Sequence, residues 1–284
     1  MERNCLKQLP RGPLFLYLTA NDFIENEKIL PSTQFGYRKR LGTTDALLTF
    51  SSDIQSALRD GMEVRAVAID FSAAFDTVNH KGIIHNLQNI GVGGKLLQLC
   101  QSFLTDRRQY VTVDGRTSAT STVFSGVPQG SVLGPLLFIL YTSSLFASLS
   151  CLNVAYADDM TIYVIIPKPA MRGVFAQMLS DDLIVIRAWC IQWGMQLNAS
   201  KTKSIIFSRS RTHLPEHPGL SIGHDTIENV DHLKLLGILF DSKLTFESHL
   251  RYITSIISQK IGILRKCWKT YRDNAIILEC FYSE

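Results

Sequence analysis

Residues 153–166 read NVAYADDMTIYVII. Two runs rich in apolar and β-forming residues flank Asp158-Asp159, so the stretch reads as strand, turn, strand, with two carboxylates at the tip of a hairpin. Upstream, VRAVAID (64–70) is apolar enough for a buried strand and also ends in an acid, Asp70. Between and around these runs the period changes. Val174, Phe175, Met178, Leu179, Leu183, Ile186, Trp189 and Trp193 recur every three or four residues and predict an amphipathic helix over 171–197. Helices are predicted also over 77–91, with Gly91 as the stop, over about 94–104, over 131–149 and from about 246. Residues 14–60 read as helix, loop, helix, with Thr43/Thr44 as the cap of DALLTFSSDIQSAL. YVTVDGRTSATSTVF (110–124) is a hairpin turning at Asp114-Gly115. KTKSIIFSR (201–209) and LKLLGILF (233–240) complete the pattern. With strands interleaved with helices on one face over 62–210, the fold class is α+β.

The chain has 284 residues, 46% hydrophobic and 19% charged, enough to bury a core and unlike a disordered polymer. Its formal net charge of +4 is mild, so affinity for nucleic acid would have to come from the arrangement of charge. Six cysteines are scattered without a C-x-x-C pair, which argues against a zinc knuckle or a disulfide scaffold and for reduced intracellular thiols. No signal peptide is legible. Thr117 to Ala157 carries no charged side chain, yet its strongly apolar piece, Pro135 to Tyr141, is too short for a span, so a buried core and no membrane partner are expected.

The acids carry the chemistry. Asp70 and Asp158-Asp159 stand at strand ends, so folding could bring them to one sheet edge, where like charges repel and call for a cation. Hard oxygen ligands in small number suit Mg²⁺, and a pair of such ions serves in-line phosphoryl transfer. An isolated Asp-Asp pair reads more readily as a polar turn.

This pair is not isolated. AIDFSAAFDTVNH (68–80), SGVPQGSVLGPLLFILY (125–141), YADD (156–159), WCIQWGMQLNASKTK (189–203) and LKLLGILFDSKLTF (233–246) stand in the order and spacing of reverse-transcriptase motifs A to E. The chain resembles the reverse transcriptases of non-LTR retrotransposons, specifically the jockey-like LINE group, and QFGYRKRLGTTDAL (34–47) resembles the motif that precedes A there. The resemblance implies a right-hand polymerase palm, an antiparallel sheet backed by helices, with partial fingers and a partial thumb. Residues 1–61 would be partial fingers, 62–210 palm with inserted fingers elements, 211–248 the primer-grip region and 249–284 the start of a truncated thumb.

It also implies an RNA-directed DNA polymerase that adds dNMP to a primer 3′-hydroxyl, with an RNA template, a DNA primer and dNTPs as partners and two Mg²⁺, or Mn²⁺, as cofactors. Asp70, the Phe71 carbonyl, Asp158 and Asp159 would hold the metals. Backbone N–H groups of Ala73, Ala74 and Phe75 would hold triphosphate oxygens, and the Phe75 ring would exclude a ribose 2′-hydroxyl. Gln129 and Gly130 would contact the incoming nucleotide. Lys201, with Lys203 as the alternative, would protonate pyrophosphate. Leu236-Gly237 would be the primer grip, and Arg38, Lys39, Arg40, Lys266 and Lys269 would touch template or duplex phosphates. Nuclear action is implied by the resemblance alone.

Departures stand beside the matches. MERNCLKQLPRGPLFL does not resemble the basic fingers motif expected before residue 17, and Thr142-Ser143-Ser144 replace the usual Asn-Asp pair. A fragment or truncated copy is expected, and the alternative function is a catalytically incompetent remnant that only binds nucleic acid. An RNA-templated RNA polymerase is opposed by Phe75.

Overall fold

The computed structural model describes residues 21–210 and 218–270, with side chains described to residue 266. The basic segment sought before residue 17, the Lys269 side chain, Arg272 and the chain end at Phe281-Tyr282 lie outside the described residues.

Helix α1 (Thr43–Arg59) leads into strand β1 (Glu63–Ile69). A short helix α2 (Ala74–Thr77), then α3 (His80–Asn89) and α4 (Gly94–Leu104), precede two small ribbons formed by β2 (Arg108–Gln109) with β5 (Ser121–Thr122) and β3 (Thr112–Val113) with β4 (Arg116–Thr117). Helix α5 (Leu133–Phe146), the hairpin β6 (Leu152–Tyr156) and β7 (Asp159–Ile166), and helix α6 (Arg172–Trp193) follow. Then come β8 (Lys203–Phe207), β9 (Ser221–Ile222), β10 (Asp225–Thr226), β11 (Glu228–Asn229), the hairpin β12 (His232–Leu235) and β13 (Ile238–Asp241), and helix α7 (Glu247–Thr270).

The central sheet has the order β11-β8-β1-β7-β6. Its pairs are antiparallel except β11 with β8, which run parallel over two residues, so the expected antiparallel sheet carries one parallel edge. The period of two sorts side chains between two cores. Val67 and Ile69 of β1 and Met160, Ile162, Val164 and Ile166 of β7 face the helices, packing with Ile83, Leu137 and Leu183. Val64, Ala66 and Tyr163 face the other way, onto Phe50 and Ile54 of α1 and Phe240 of the β12–β13 hairpin. Layers thus cover both sheet faces, where the sequence predicts one. This explains why β1 reads as a nearly unbroken apolar run.

Helix α5 has eleven of its fourteen residues buried, so this part of the charge-free stretch is core, whereas Thr117 to Thr122 at its start are exposed. Among the described residues no helix is long and apolar enough to cross a membrane. Cys100, Cys151 and Cys190 are free and buried.

Two predicted boundaries shift. The helix predicted over 77–91 runs only from His80 to Asn89, Thr77 being the end of α2, because the Asn79 side chain accepts from the N–H groups of Lys81 (2.9 Å) and Gly82 (3.3 Å) and starts the helix at His80. Gly42, not Thr43 or Thr44, caps α1; its N–H donates to the Asp45 carboxylate at 2.7 Å.

Candidate active site

The register of β1 with β7 assembles the acids. Ile69 pairs with Met160, so Asp70, one residue beyond Ile69, and Asp159, one residue before Met160, fall at the same sheet edge. Asp158 occupies the turn between β6 and β7, following Ala157, whose φ is +59°. Asp70 and Asp158 are half-buried and Asp159 is exposed. Burial pushes the Asp158 carboxyl above the usual carboxylate range, and the charge of Asp70 adds to it. Burial likewise raises Asp159, with further repulsion from Asp158 and Asp70. Three carboxylates that disfavour one another's charge form a donor set that a cation would relieve. Among the described residues no group of three His, Cys, Asp or Glu side chains is placed to hold a metal ion; the acids share an edge without converging on one point.

The segment after β1 is tied from outside. The N–H of Asn198 donates to the Asp70 carbonyl (2.8 Å), that of Ser72 to the Gln196 carbonyl (2.8 Å), and that of Asp70 to the Thr202 hydroxyl (3.2 Å). The first two bonds flank Phe71, which bridges to Leu197, and use neither its N–H nor its carbonyl. Ala73 turns the chain at φ +47° into α2, whose first N–H groups, at Ala74 and Phe75, precede any intrahelical acceptor. The Phe75 ring stacks on Phe138 of α5, with centroids 4.2 Å apart, and meets Tyr37 edge-on at 6.3 Å.

Residues 125–127 run along this turn. The N–H of Val127 donates to the Phe75 carbonyl and that of Gly126 to the Val78 carbonyl, each at 2.8 Å, and the Ser125 hydroxyl donates to the Asp76 carbonyl at 2.9 Å. Gly126 has φ +84°, and a Cβ there would stand 2.8 Å from the Asp76 backbone. Gln129 is exposed and donates its side-chain amide to the Asp76 carboxylate at 2.9 Å, beside the exposed Gly130.

The sequence matches the family described as reverse transcriptase (RNA-dependent DNA polymerase) over residues 15–240, most of the chain. The chain belongs to the reverse transcriptase family. It is 31% identical, over 91% of its length, to a probable RNA-directed DNA polymerase from transposon BS of Drosophila melanogaster, and covers 29% of that protein. It is 28% identical, over 84% of its length, to the RNA-directed DNA polymerase from mobile element jockey of Drosophila funebris, covering 26% of it. These similarities make it a jockey-like reverse transcriptase domain. It spans less than a third of the length of these curated relatives. Its fold is that of apo telomerase from Candida tropicalis truncated from the C-terminal domain, with a TM-score of 0.55 and 13% identity over 83% of this chain and 44% of that one. Members of the family generally use divalent metal ions, and the donor set at this edge fits them.

Two residues of this reverse transcriptase domain escape a reading of its sequence. Gln34, fully buried, bonds to the backbone of Ala157 in the turn that carries Asp158. Tyr37, at φ +57°, sits close enough to the acids that burial, and then the charge of Asp158, push its hydroxyl above the ordinary tyrosine value. QFGY looks like an irregular loop; the only signal was a glutamine directly before an apolar residue and a glycine.

The remaining candidates are scattered. Lys201 is exposed, in a loop where Asn198 accepts from its backbone N–H. Lys203 donates instead to Glu228 and to the Ser200 carbonyl, both at 2.7 Å. Leu236 (φ +46°) and Gly237 (φ +87°) form the tip between β12 and β13. Arg38 is committed to Glu25 and to the carbonyls of Pro31 and Gln34, and Lys39 to Asp22; these bonds brace the loop from within. Arg40 and Lys266 are exposed.

Proposed function

We propose that this chain is the RNA-directed DNA polymerase core of a jockey-like non-LTR retrotransposon, adding dNMP to a DNA primer 3′-hydroxyl on an RNA template. The observation that carries this reading is the pairing of Ile69 with Met160, which sets Asp70 beside the Asp158-Asp159 turn. Asp70 and Asp158, with Asp159 and the Phe71 carbonyl, would hold two Mg²⁺, or Mn²⁺ in their place. When bound, these ions supply Lewis acidity to the attacking hydroxyl and the leaving pyrophosphate.

The chain's own groups do the rest. The N–H groups of Ala73, Ala74 and Phe75 donate to triphosphate oxygens, and the Phe75 ring, backed by Phe138, fills the space of a ribose 2′-hydroxyl. Gln129 contacts the incoming nucleotide, and Lys201 gives a proton to pyrophosphate. Residues 62–210 act as palm, the hairpin tip at Leu236-Gly237 as primer grip and α7 as the first thumb helix. Lys266, on that helix, approaches duplex phosphates.

Primer extension by purified chain with an RNA template, a DNA primer, dNTPs and Mg²⁺ tests the reading. Extension by the wild type, lost in Asp70→Ala and Asp158→Ala, supports it. Salt-dependent binding of the primer–template with no incorporation replaces it with a remnant that only binds nucleic acid.

A further inference from the structure

Glutamine is mostly an exposed residue, yet Gln34 has no exposure at all. Its Oε1 accepts from the N–H of Gly36 at 2.8 Å and from that of Ala157 at 2.9 Å, while its Nε2 donates to the Ala157 carbonyl at 3.2 Å. One side chain thus takes both backbone polar groups of a residue 123 positions away. That residue occupies the left-handed region, where a side chain bearing Cβ persists only when its surroundings hold it. Asp158 is the next residue along.

The rest of the segment is built to deliver this amide. The N–H of Phe35 donates to the Ala155 carbonyl and that of Ala155 to the Thr33 carbonyl, each at 2.8 Å, so 33–35 lies along the outer side of β6 as a parallel bridge. A Cβ at position 36 would lie 2.3 Å from the Ala157 nitrogen, so the approach requires Gly36. Arg38, bound to Glu25 and to the Gln34 carbonyl, secures the loop from the far side. The turn that carries the catalytic acid is therefore gripped by the segment preceding α1, not held by its own hairpin alone.

We propose that Gln34 is a positioning residue for the polymerase reaction: its amide locks Ala157 in the left-handed turn and thereby fixes the backbone from which Asp158 projects beside Asp70. This rests on the function proposed above. The residue acts through backbone and touches neither substrate nor metal.

The test uses the whole chain with Gln34→Met, which keeps length and volume and removes every hydrogen bond. Three readouts are expected to move: kcat falls about 100-fold while the KM for dNTP and the Kd for primer–template stay within about twofold; Mn²⁺ affinity, followed by electron paramagnetic resonance, weakens about tenfold; and hydrogen exchange at the Ala157 amide accelerates about tenfold or more. Ile186→Val, on the buried face of α6, serves as the control for lost stability and should leave all three unchanged at a temperature where it is folded. If Gln34→Met does not fold, Gln34→Glu, which keeps the acceptor and removes the donor to the Ala157 carbonyl, takes its place with the same expectations. Wild-type kcat and Mn²⁺ affinity in the variant, or losses that track the unfolded fraction as in Ile186→Val, overturn the proposal. If the wild type itself incorporates no dNMP, the polymerase reading fails, and Mn²⁺ affinity with amide exchange still decides the role of Gln34.

Discussion

The ring of Phe75 lies on that of Phe138, centroids 4.2 Å apart and planes 20° from parallel. A residue five positions after Asp70 is thus held by the buried helix α5, while Tyr37 meets its ring at 84°. A side chain clamped between two rings is a rigid wall, which is what discrimination by size requires.

Phe75→Val should therefore relax sugar selectivity. The ratio of kcat/KM for dNTP over rNTP is expected to fall at least about tenfold, with dNTP incorporation retained. Single-nucleotide incorporation with matched dNTP and rNTP measures it. Tyr37→Ala should move the same ratio in the same direction by less, since Phe138 still supports the ring.

Lys201 and Lys203 separate by their partners. Lys203 is held by Glu228 and the Ser200 carbonyl, whereas Lys201 stands in solvent. Lys201→Ala should lower kcat about 100-fold. Lys203→Ala should leave kcat within about threefold and cost about 1 kcal/mol of stability or less, as an exposed ion pair would. Pre-steady-state incorporation by the two variants distinguishes them.

Gly126 packs the 125–127 segment against the turn that carries Phe75 and Asp76. At φ +84°, with the Asp76 backbone 2.8 Å from where a Cβ would sit, Gly126→Ala should cost about 2–5 kcal/mol, the sum of a left-handed alanine and an overpacked contact. Urea unfolding gives the value. Gly173→Ala, in open space at the start of α6, should change stability by about 1 kcal/mol or less.

Asp241 links the β12–β13 hairpin to α7. Burial raises its carboxyl, but N–H bonds from Thr245, Phe246 and Lys243 and the Thr245 hydroxyl outweigh it and leave it below the usual range. A depressed folded value means stabilisation present at neutral pH and lost as pH falls through that value, so the loss begins below about pH 5. Asp241→Asn should lower stability at pH 7 by about 1–3 kcal/mol and flatten the acid limb of Tm against pH. Thermal melts between neutral and acidic pH show both.

The sequence was most legible where chemistry and local pattern coincide. Apolar runs ending in Asp70 and turning at Asp158-Asp159 announce strands whatever their neighbours do, and the Gly91 stop is written in a single residue, whereas the helix predicted to run to 197 ends at Trp193, where Gly194 takes the left-handed region at φ +77°. What stayed hidden depends on distant partners. Asn79 looks like one more helical residue until its side chain is seen capping His80 onward. Gln34 reads as a loop residue because its partner, Ala157, is 123 positions away. Arg38 reads as a phosphate ligand, since nothing local shows that Glu25 has taken it. The second layer over the sheet was missed because α1 is an ordinary amphipathic helix whose apolar stripe does not say which face it covers.

The most direct measurement of the central claim is anomalous diffraction from crystals of the chain soaked in Mn²⁺. The account predicts a peak within coordination distance of both the Asp70 and the Asp158 carboxylates, absent from Asp158→Ala crystals. A wild-type map with no peak there, or one bound by Asp159 alone while Asp70 turns away into packed side chains, would contradict it.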